Sequence, residues 1–275
     1  MPELPEVETT VLSLKKEVLQ RTFIRVWAEK NAPEEVVGRK IKDIYRRGKN
    51  IIFLLEEDLV LFAHLRMTGH FLLGEWQMID GEWQSEEKIM QDPRNGYIRF
   101  MFFLDDGRQL ALSDARKFAQ IYTAPLSQIE EYLQSLGPDI TLLSKKEFVK
   151  MVKKKKGEIK RVLMDQKFIS GVGNIYAAEA LFIAKVHPQK KANMISDEKV
   201  EKIYSALQKV LKESIKLKGD STSDFRLITG ERGGYQNKHL VYNRKDKNCF
   251  SCDSQIKRIT LGGRGSYYCP NCQKI

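Results

Sequence analysis

The sequence predicts an α+β protein of more than one domain: a β-rich first half led by a helix, a helical second half, and a C-terminal zinc hairpin. Three observations predict it. At 275 residues the chain can fill two hydrophobic cores. Its apolar pattern changes from short strand-like runs over residues 22–123 to helical spacing over 124–217. All four cysteines fall in the last 27 residues, spaced as two C-x2-C pairs.

The elements follow in order. Residues 4–20 carry Val7, Val11, Leu14 and Val18 at helical spacing, and Pro5 suits a first turn. Strands are expected at 51–55, 59–63, 97–104 and 109–112, separated by turn signals such as Glu57-Asp58 and Asp105-Asp106-Gly107. Short strands at this spacing fit an antiparallel sandwich or barrel. Pro125 and Gly137-Pro138-Asp139 bracket a helical stretch. Further helices are expected at 145–155, 158–165, 174–184 and 196–217, the last with Val200, Ile203, Leu207, Val210, Leu211 and Ile215 on one face. A Gly-rich loop over 219–238 precedes the finger.

In the finger, sixteen residues separate Cys249-x2-Cys252 from Cys269-x2-Cys272. Each pair brings two thiolates to one ion from a tight turn, which is the pattern of a tetrahedral zinc site. With four protein ligands no open position remains for chemistry, so one structural zinc is expected. Two short strands around Gly262-Gly263-Arg264-Gly265 fill the space between the pairs.

The chain opens Met-Pro-Glu-Leu-Pro-Glu-Val-Glu. Removal of Met1 would expose Pro2 as a secondary amine. An α-amine has a pKa of about 8, so a useful fraction is unprotonated and nucleophilic at neutral pH. Such an amine can attack an aldehyde-like carbon and form an iminium. Three carboxylates, Glu3, Glu6 and Glu8, stand beside it for proton transfer. The bland alternative is a frayed acidic terminus.

Lys and Arg number 47 against 36 Asp and Glu, a net charge of +11, which favours a polyanionic partner, nucleic acid first. No apolar run reaches the length of a membrane span, and the acidic, Pro-containing N-terminus excludes a signal peptide. A cytoplasmic location is the default expectation. The charge is uneven: Lys150–Arg161 holds seven basic side chains and one acidic one. Gly171-Val172-Gly173-Asn174 follows that segment and opens a helix, whose first N–H groups can meet a phosphate. Alone, a G-x-G is an ordinary turn. Arg46-Arg47-Gly48-Lys49-Asn50 is likewise a plain basic turn by itself, and His64 or Met67 in His64-Leu65-Arg66-Met67-Thr68-Gly69 could be structural. Beside Arg116 and Phe118, however, Met67 would suit an enzyme that extrudes a base and must fill the gap in the stack.

Taken together these motifs resemble formamidopyrimidine-DNA glycosylases, bacterial enzymes that excise 8-oxoguanine and ring-opened purines. The resemblance runs the whole length in order: PELPEVE, RRGKN, HLRMTG, the D-x-R-x-F element, IKRVLMDQ, GVGNIYAAEALF with a following His-Pro, and the final C-x2-C with GGRGSYYCPNC. Leu4 and the HLRM and GGRG elements favour this branch over the sister endonuclease VIII family.

The resemblance implies a two-layered β-sandwich with a leading helix, then a helix-two-turn-helix domain and the zinc finger, with double-stranded DNA in the cleft between. The corresponding boundaries are 1–125, 126–218, a lesion-capping loop at 219–240, and 241–275. It also implies roles. Pro2 is the nucleophile at C1′, Glu3 the acid that opens the sugar, and Glu6 orients the nucleophile. Lys49 and His64 contact phosphates beside the lesion. Met67, Arg116 and Phe118 fill the vacated space, Arg116 pairing with the orphaned cytosine. Asn174 and Arg264 grip the phosphates of the flipped nucleotide, Lys160 lies near the lesion, and the zinc holds Arg264 on its hairpin. A monomer acting on the bacterial nucleoid is expected.

Some positions depart from the family pattern. The capping loop, typically G-S-T-x-R-D-Y, reads Gly219-Asp220-Ser221-Thr222-Ser223-Asp224-Phe225, one residue shorter between the threonine and the aspartate and without a basic residue before the aspartate. Tyr-Gly-Arg before the finger is Tyr242-Asn243-Arg244, and the D-x-R-x-F-G element ends in Ala119. These changes bear on base preference rather than on bond cleavage. Two alternatives stay open: endonuclease VIII-like excision of oxidised pyrimidines, and a catalytically silent DNA-damage-binding paralogue.

Overall fold

A computed structural model describes residues 1–275, the side chain of Glu87 excepted. The chain divides into two compact units, Met1–Gln134 with Leu217–Gln236, and Ser135–Lys216 with Asn237–Ile275. The segment 217–236 thus belongs with the first unit, although it follows the long helix of the second.

The first unit begins with α1 (Leu4–Val18), which buries Val7, Val11, Leu14 and Val18 along one stripe. Two four-stranded antiparallel sheets follow. One has the order β1-β8-β9-β5, built from Phe23–Ala28, Ile98–Leu104, Gln109–Ser113 and His70–Gly74. The other has the order β10-β4-β3-β2, built from Gln120–Pro125, Leu59–His64, Asn50–Leu55 and Ile41–Arg47. Their inner faces share one core with the stripe of α1, including Phe23, Ile44, Phe53, Leu61, Phe71 and Phe102. The rings of Phe53 on β3 and Phe71 on β5 meet edge-to-face at 5.8 Å across that core. Of the sandwich and the barrel that the strand spacing allowed, the chain forms the sandwich.

Between β5 and β8 the chain makes a small hairpin, β6 (Trp76–Ile79) and β7 (Glu82–Ser85), and a short helix, α2 (Glu87–Met90). The hairpin turns at Asp80-Gly81, both at positive φ. It covers a satellite cluster holding all three tryptophans, with Trp76 buried and Trp27 and Trp83 packed against it. Helix α3 (Leu126–Gln134) closes the unit.

The second unit is helical. It comprises α4 (Lys145–Lys153), α5 (Ile159–Met164), α6 (Asn174–Ile183) and α7 (Asp197–Lys216). Ser144 starts α4 with a capping box: its hydroxyl accepts from the Glu147 N–H at 3.3 Å, and Glu147 accepts from the Ser144 N–H at 3.0 Å. Helix α6 is apolar on every side and buried, which suits a central helix. The unit ends in a hairpin, β11 (Lys257–Leu261) and β12 (Arg264–Tyr268). The expected helices recur with ends shifted by no more than two residues.

Candidate active site and zinc finger

Pro2, Glu3 and Glu6 are buried at the start of α1. The Glu6 carboxylate faces backward and inward at once. Its Oε2 accepts from the Glu3 N–H at 2.7 Å, and its Oε1 accepts from the Asp220 N–H at 2.8 Å. One carboxylate therefore fixes the first helical turn and ties the 219–220 segment to it. Gly219 allows this approach: its φ is +82°, and a Cβ there would lie 3.2 Å from Glu6. The Pro2 nitrogen is an amide with Met1, whose ammonium lies 3.5 Å from the Ser223 hydroxyl.

Glu8, the third carboxylate of the opening segment, is not placed for proton transfer at Pro2. It pairs with Arg46 at 2.5 Å, and Arg46 also donates to the Gly48 carbonyl at 2.9 Å. That pair docks the β2–β3 turn on α1. Arg47 and Asn50 are the last paired residues of the hairpin, so Gly48, at positive φ, and Lys49 make the turn. Lys49 is buried there.

His64 ends β4. Burial pushes its pKa down to about 4, and the nearby charges of Arg66 and Lys49 act in the same direction. The Arg66 N–H donates to Nδ1 at 3.0 Å. The ring is therefore neutral at pH 7, and its proton is assigned to Nε2, a neutral donor rather than a cation.

Met67, Arg116 and Phe118 come together at one edge of the first unit. Arg116 Nη1 lies 3.3 Å from the Met67 sulfur, and its guanidinium sits 4.9 Å from the Phe118 ring centroid. Met67 and Phe118 are exposed although large and apolar. Buried Asp114 holds this arrangement: its carboxylate accepts from the Ala119 N–H at 2.7 Å, the Arg116 N–H at 3.2 Å and the Thr68 hydroxyl.

In the second unit Asn174 begins α6, with Gly173 before it in extended conformation. Its Nδ2 donates to the Gly265 carbonyl at 3.0 Å, so the start of α6 meets the finger hairpin beside Arg264. Leu261 pairs with Arg264, leaving Gly262-Gly263 as a two-residue turn. Both glycines have positive φ, as a tight hairpin requires. Arg264 is exposed just past that turn, whereas Lys160 on α5 is buried.

The sulfurs of Cys249, Cys252, Cys269 and Cys272 lie within 4.8 Å of one another. The Cys249–Cys272 separation is 3.9 Å, and Cys252 lies 3.4 Å from both Cys269 and Cys272. A tetrahedral zinc with Zn–S bonds of about 2.3 Å needs sulfurs roughly 3.8 Å apart, so the cluster fits that ion. Backbone N–H groups of Ser251 and Cys272 point at Cys249 and Cys269, each at 3.4 Å, as donors to thiolates. Hydrogen bonds centred on Ser254 bring the Cys252 thiol down to about 6, while burial pushes Cys269 and Cys272 up. Four thiolates can share this space only around a cation.

Three family profiles match in order: "Formamidopyrimidine-DNA glycosylase N-terminal domain" over 1–121, "Formamidopyrimidine-DNA glycosylase H2TH domain" over 136–226, and "Zinc finger found in FPG and IleRS" over 248–275. The chain is 35% identical to the formamidopyrimidine-DNA glycosylase of Pelotomaculum thermopropionicum, with all of both chains aligned. It is 36% identical to that of Desulfitobacterium hafniense, over 99% of this chain and 100% of the relative. The chain belongs to the formamidopyrimidine-DNA glycosylase family. It is thus a base-excision-repair glycosylase for oxidised purines, in a family whose enzymes are also AP lyases. Its fold matches the Lactococcus lactis enzyme in complex with abasic-site DNA at TM-score 0.86, with 30% identity and full coverage of both chains. The same TM-score, identity and coverage hold against a Lactococcus lactis mutant bound to DNA containing a formamidopyrimidine deoxyguanosine lesion.

The glycosylase also carries supports to which the sequence analysis gave no role, Glu179 of GVGNIYAAEALF among them. Buried Glu179 on α6 accepts the N–H groups of Leu240, Val241 and Tyr242 at 2.8–3.0 Å, which anchors the segment entering the finger. Gln273 accepts from the Cys269 N–H at 2.9 Å and donates to the Val186 carbonyl at 2.9 Å. An acidic residue inside an otherwise apolar helix is the one sequence signal that could have marked Glu179.

Proposed function

We propose that Pro2, after Met1 is removed, is the nucleophile of a glycosylase and AP lyase. Its secondary amine attacks C1′ of the damaged nucleotide. The N–C1′ bond forms, the glycosidic bond breaks, and the base leaves. Glu3 protonates the ring oxygen, so the sugar opens and an iminium remains. The iminium acidifies the C2′ proton. Its loss expels the 3′ phosphate by β-elimination, and a second loss expels the 5′ phosphate by δ-elimination.

What supports this reading is the burial of Pro2 and Glu3 against a Glu6 carboxylate already committed to two backbone N–H groups. With both oxygens so engaged, Glu6 orients the terminus, and Glu3, buried beside Pro2, takes the acid role. Lys49 and His64 bind phosphates beside the lesion, His64 as a neutral donor. Met67, Arg116 and Phe118 fill the gap in the duplex, with Arg116 facing the orphaned cytosine. Asn174, Lys160 and Arg264 bind around the flipped nucleotide, and the 219–240 segment covers its base. One zinc held by the four cysteines gives the Arg264 hairpin its rigidity. The enzyme works as a monomer on the nucleoid in the bacterial cytoplasm.

The altered 219–225 sequence points to a changed preference among oxidised bases. Borohydride trapping on abasic-site DNA tests the core reading: a covalent adduct is expected, and its absence would identify a silent binder instead. Strong 8-oxoguanine excision opposite cytosine, undiminished relative to a formamidopyrimidine lesion, would contradict the changed preference.

A further inference from the structure

The segment 219–232 is held to the first unit by charge as well as by packing. Arg226 has no exposed side-chain surface, yet it carries a full charge into the interior. Its Nε and Nη2 reach Asp92 Oδ2 at 2.6 and 2.5 Å, and its Nη1 donates to the carbonyls of Phe225 and Ser223 at 2.6 and 3.0 Å. Asp92 caps the turn before β8, accepting from the Arg94 N–H at 3.0 Å. Arg94 in turn pairs with Asp224 at 3.3 Å, and Lys88 pairs with Glu231 at 3.0 Å.

Neutral contacts follow the same line. Asn95 donates to the Gly230 carbonyl at 3.1 Å, and the Leu73 N–H donates to the Ile228 carbonyl at 2.8 Å. Gly230 has φ +82°, and a Cβ there would lie 2.8 Å from Asn95. All these partners belong to the first unit, so none of these contacts requires DNA. A buried arginine is tolerated only when its charge is matched; removing one partner strands the other.

We propose that the Asp92–Arg226 pair is a latch that seats segment 219–232 before DNA binds, making Asp92 and Arg226 positioning residues for base discrimination. This rests on the reading that the segment covers the flipped base. A loop ordered in advance spares the complex the cost of ordering it, and presents one fixed surface to the incoming base. Bases that fit that surface are favoured, and an abasic site, which has no base, is indifferent to it.

Asp92→Asn keeps the shape and removes the charge. Two measurements read it: hydrogen exchange of residues 221–230 in the DNA-free protein, and the ratio of formamidopyrimidine excision to cleavage of a preformed abasic site. Exchange should rise at least about tenfold in that segment with α7 unchanged. Base excision should fall about tenfold while abasic-site cleavage stays within roughly twofold. Unchanged exchange, or an equal fall in both reactions, would overturn the latch. If Asp92→Asn does not fold, Arg226→Lys keeps the charge and loses the Ser223 and Phe225 hydrogen bonds; it should move both readouts the same way by a smaller amount, and no movement would overturn the proposal. A wild-type protein that cleaves neither DNA would defeat the proposed function instead, while the exchange measurement would still decide whether the latch exists.

Discussion

The start of α1 and the tip of the zinc hairpin each present a residue proposed to act at the lesion, yet they are stabilised by different means. Pro2 and Glu3 lead into a helix whose stripe is sealed in the sandwich core, and Glu6 and Glu8 bind them to neighbouring backbone and to Arg46. Arg264 stands on a two-stranded hairpin whose own cluster is small and built largely of the cysteines, with Val241, Ile256, Ala178 and Phe182. The first position is fixed by burial of apolar surface, the second by a metal. The two should therefore fail independently, and they should fail under different insults.

The largest effect is expected at the terminus itself. A variant that retains an N-terminal extension keeps the Pro2 nitrogen as an amide, and should lose lyase activity by about a thousandfold or more while still binding DNA. Gel-shift and cleavage assays on the same abasic-site duplex separate the two.

Next is the metal. Cys269→Ser, or chelation of zinc, should unfold the hairpin and abolish DNA binding, because so short a segment has little core of its own. The first unit should stay folded. All three tryptophans lie in its satellite cluster, so native tryptophan fluorescence with lost DNA binding is the expected pair of results. Loss of that fluorescence signature would show that the units do not fail separately.

A smaller effect is expected at Glu179. Glu179→Ala strands three backbone N–H groups and should destabilise the approach to the finger by about 1–3 kcal/mol or more. A zinc-release assay should then show a lower chelator midpoint, with the first unit's urea midpoint unmoved.

Smallest is a pH effect confined to the first unit. Burial pushes the pKa of His70 from 6.5 to about 4. The unfolded chain takes up that proton first as pH falls, so stability is full above about 6.5, declines below it, and the loss is complete below about 4. At pH 5 the loss attributable to His70 is about 2 kcal/mol. Urea unfolding followed by tryptophan fluorescence at pH 7 and pH 5 should show it, and His70→Gln should flatten the difference.

Local features were the ones legible in the sequence. The helical stripe of α1, the four strand runs that became β3, β4, β8 and β9, the helices of the second unit and the cysteine spacing all depend on neighbours a few residues apart, whereas β1, β2, β5 and β10 were not singled out. That Met67 of HLRMTG meets Arg116 and Phe118 of the D-x-R-x-F element was expected from the resemblance, not from spacing, and the three side chains do lie together. The supports were not legible. Asp92 and Arg226 are 134 positions apart, and neither stands in a recognisable pattern. Asp114 was read only as part of a D-x-R-x-F element, not as the carboxylate that shapes the loop. Glu8 was counted as a proton-transfer group because it is near Pro2 in sequence; the helix turns it instead toward Arg46. The β6–β7 hairpin carries an Asp80-Gly81 turn signal, but its acidic composition obscured the alternation around it.

The central claim is that chemistry occurs at the Pro2 nitrogen. The most direct measurement is mass spectrometry of the borohydride-trapped complex after protease and nuclease digestion. The account predicts that the N-terminal peptide begins at Pro2 and carries the reduced sugar remnant on its α-nitrogen. A remnant found on Lys49 or another lysine, with an unmodified Pro2 peptide, would contradict it.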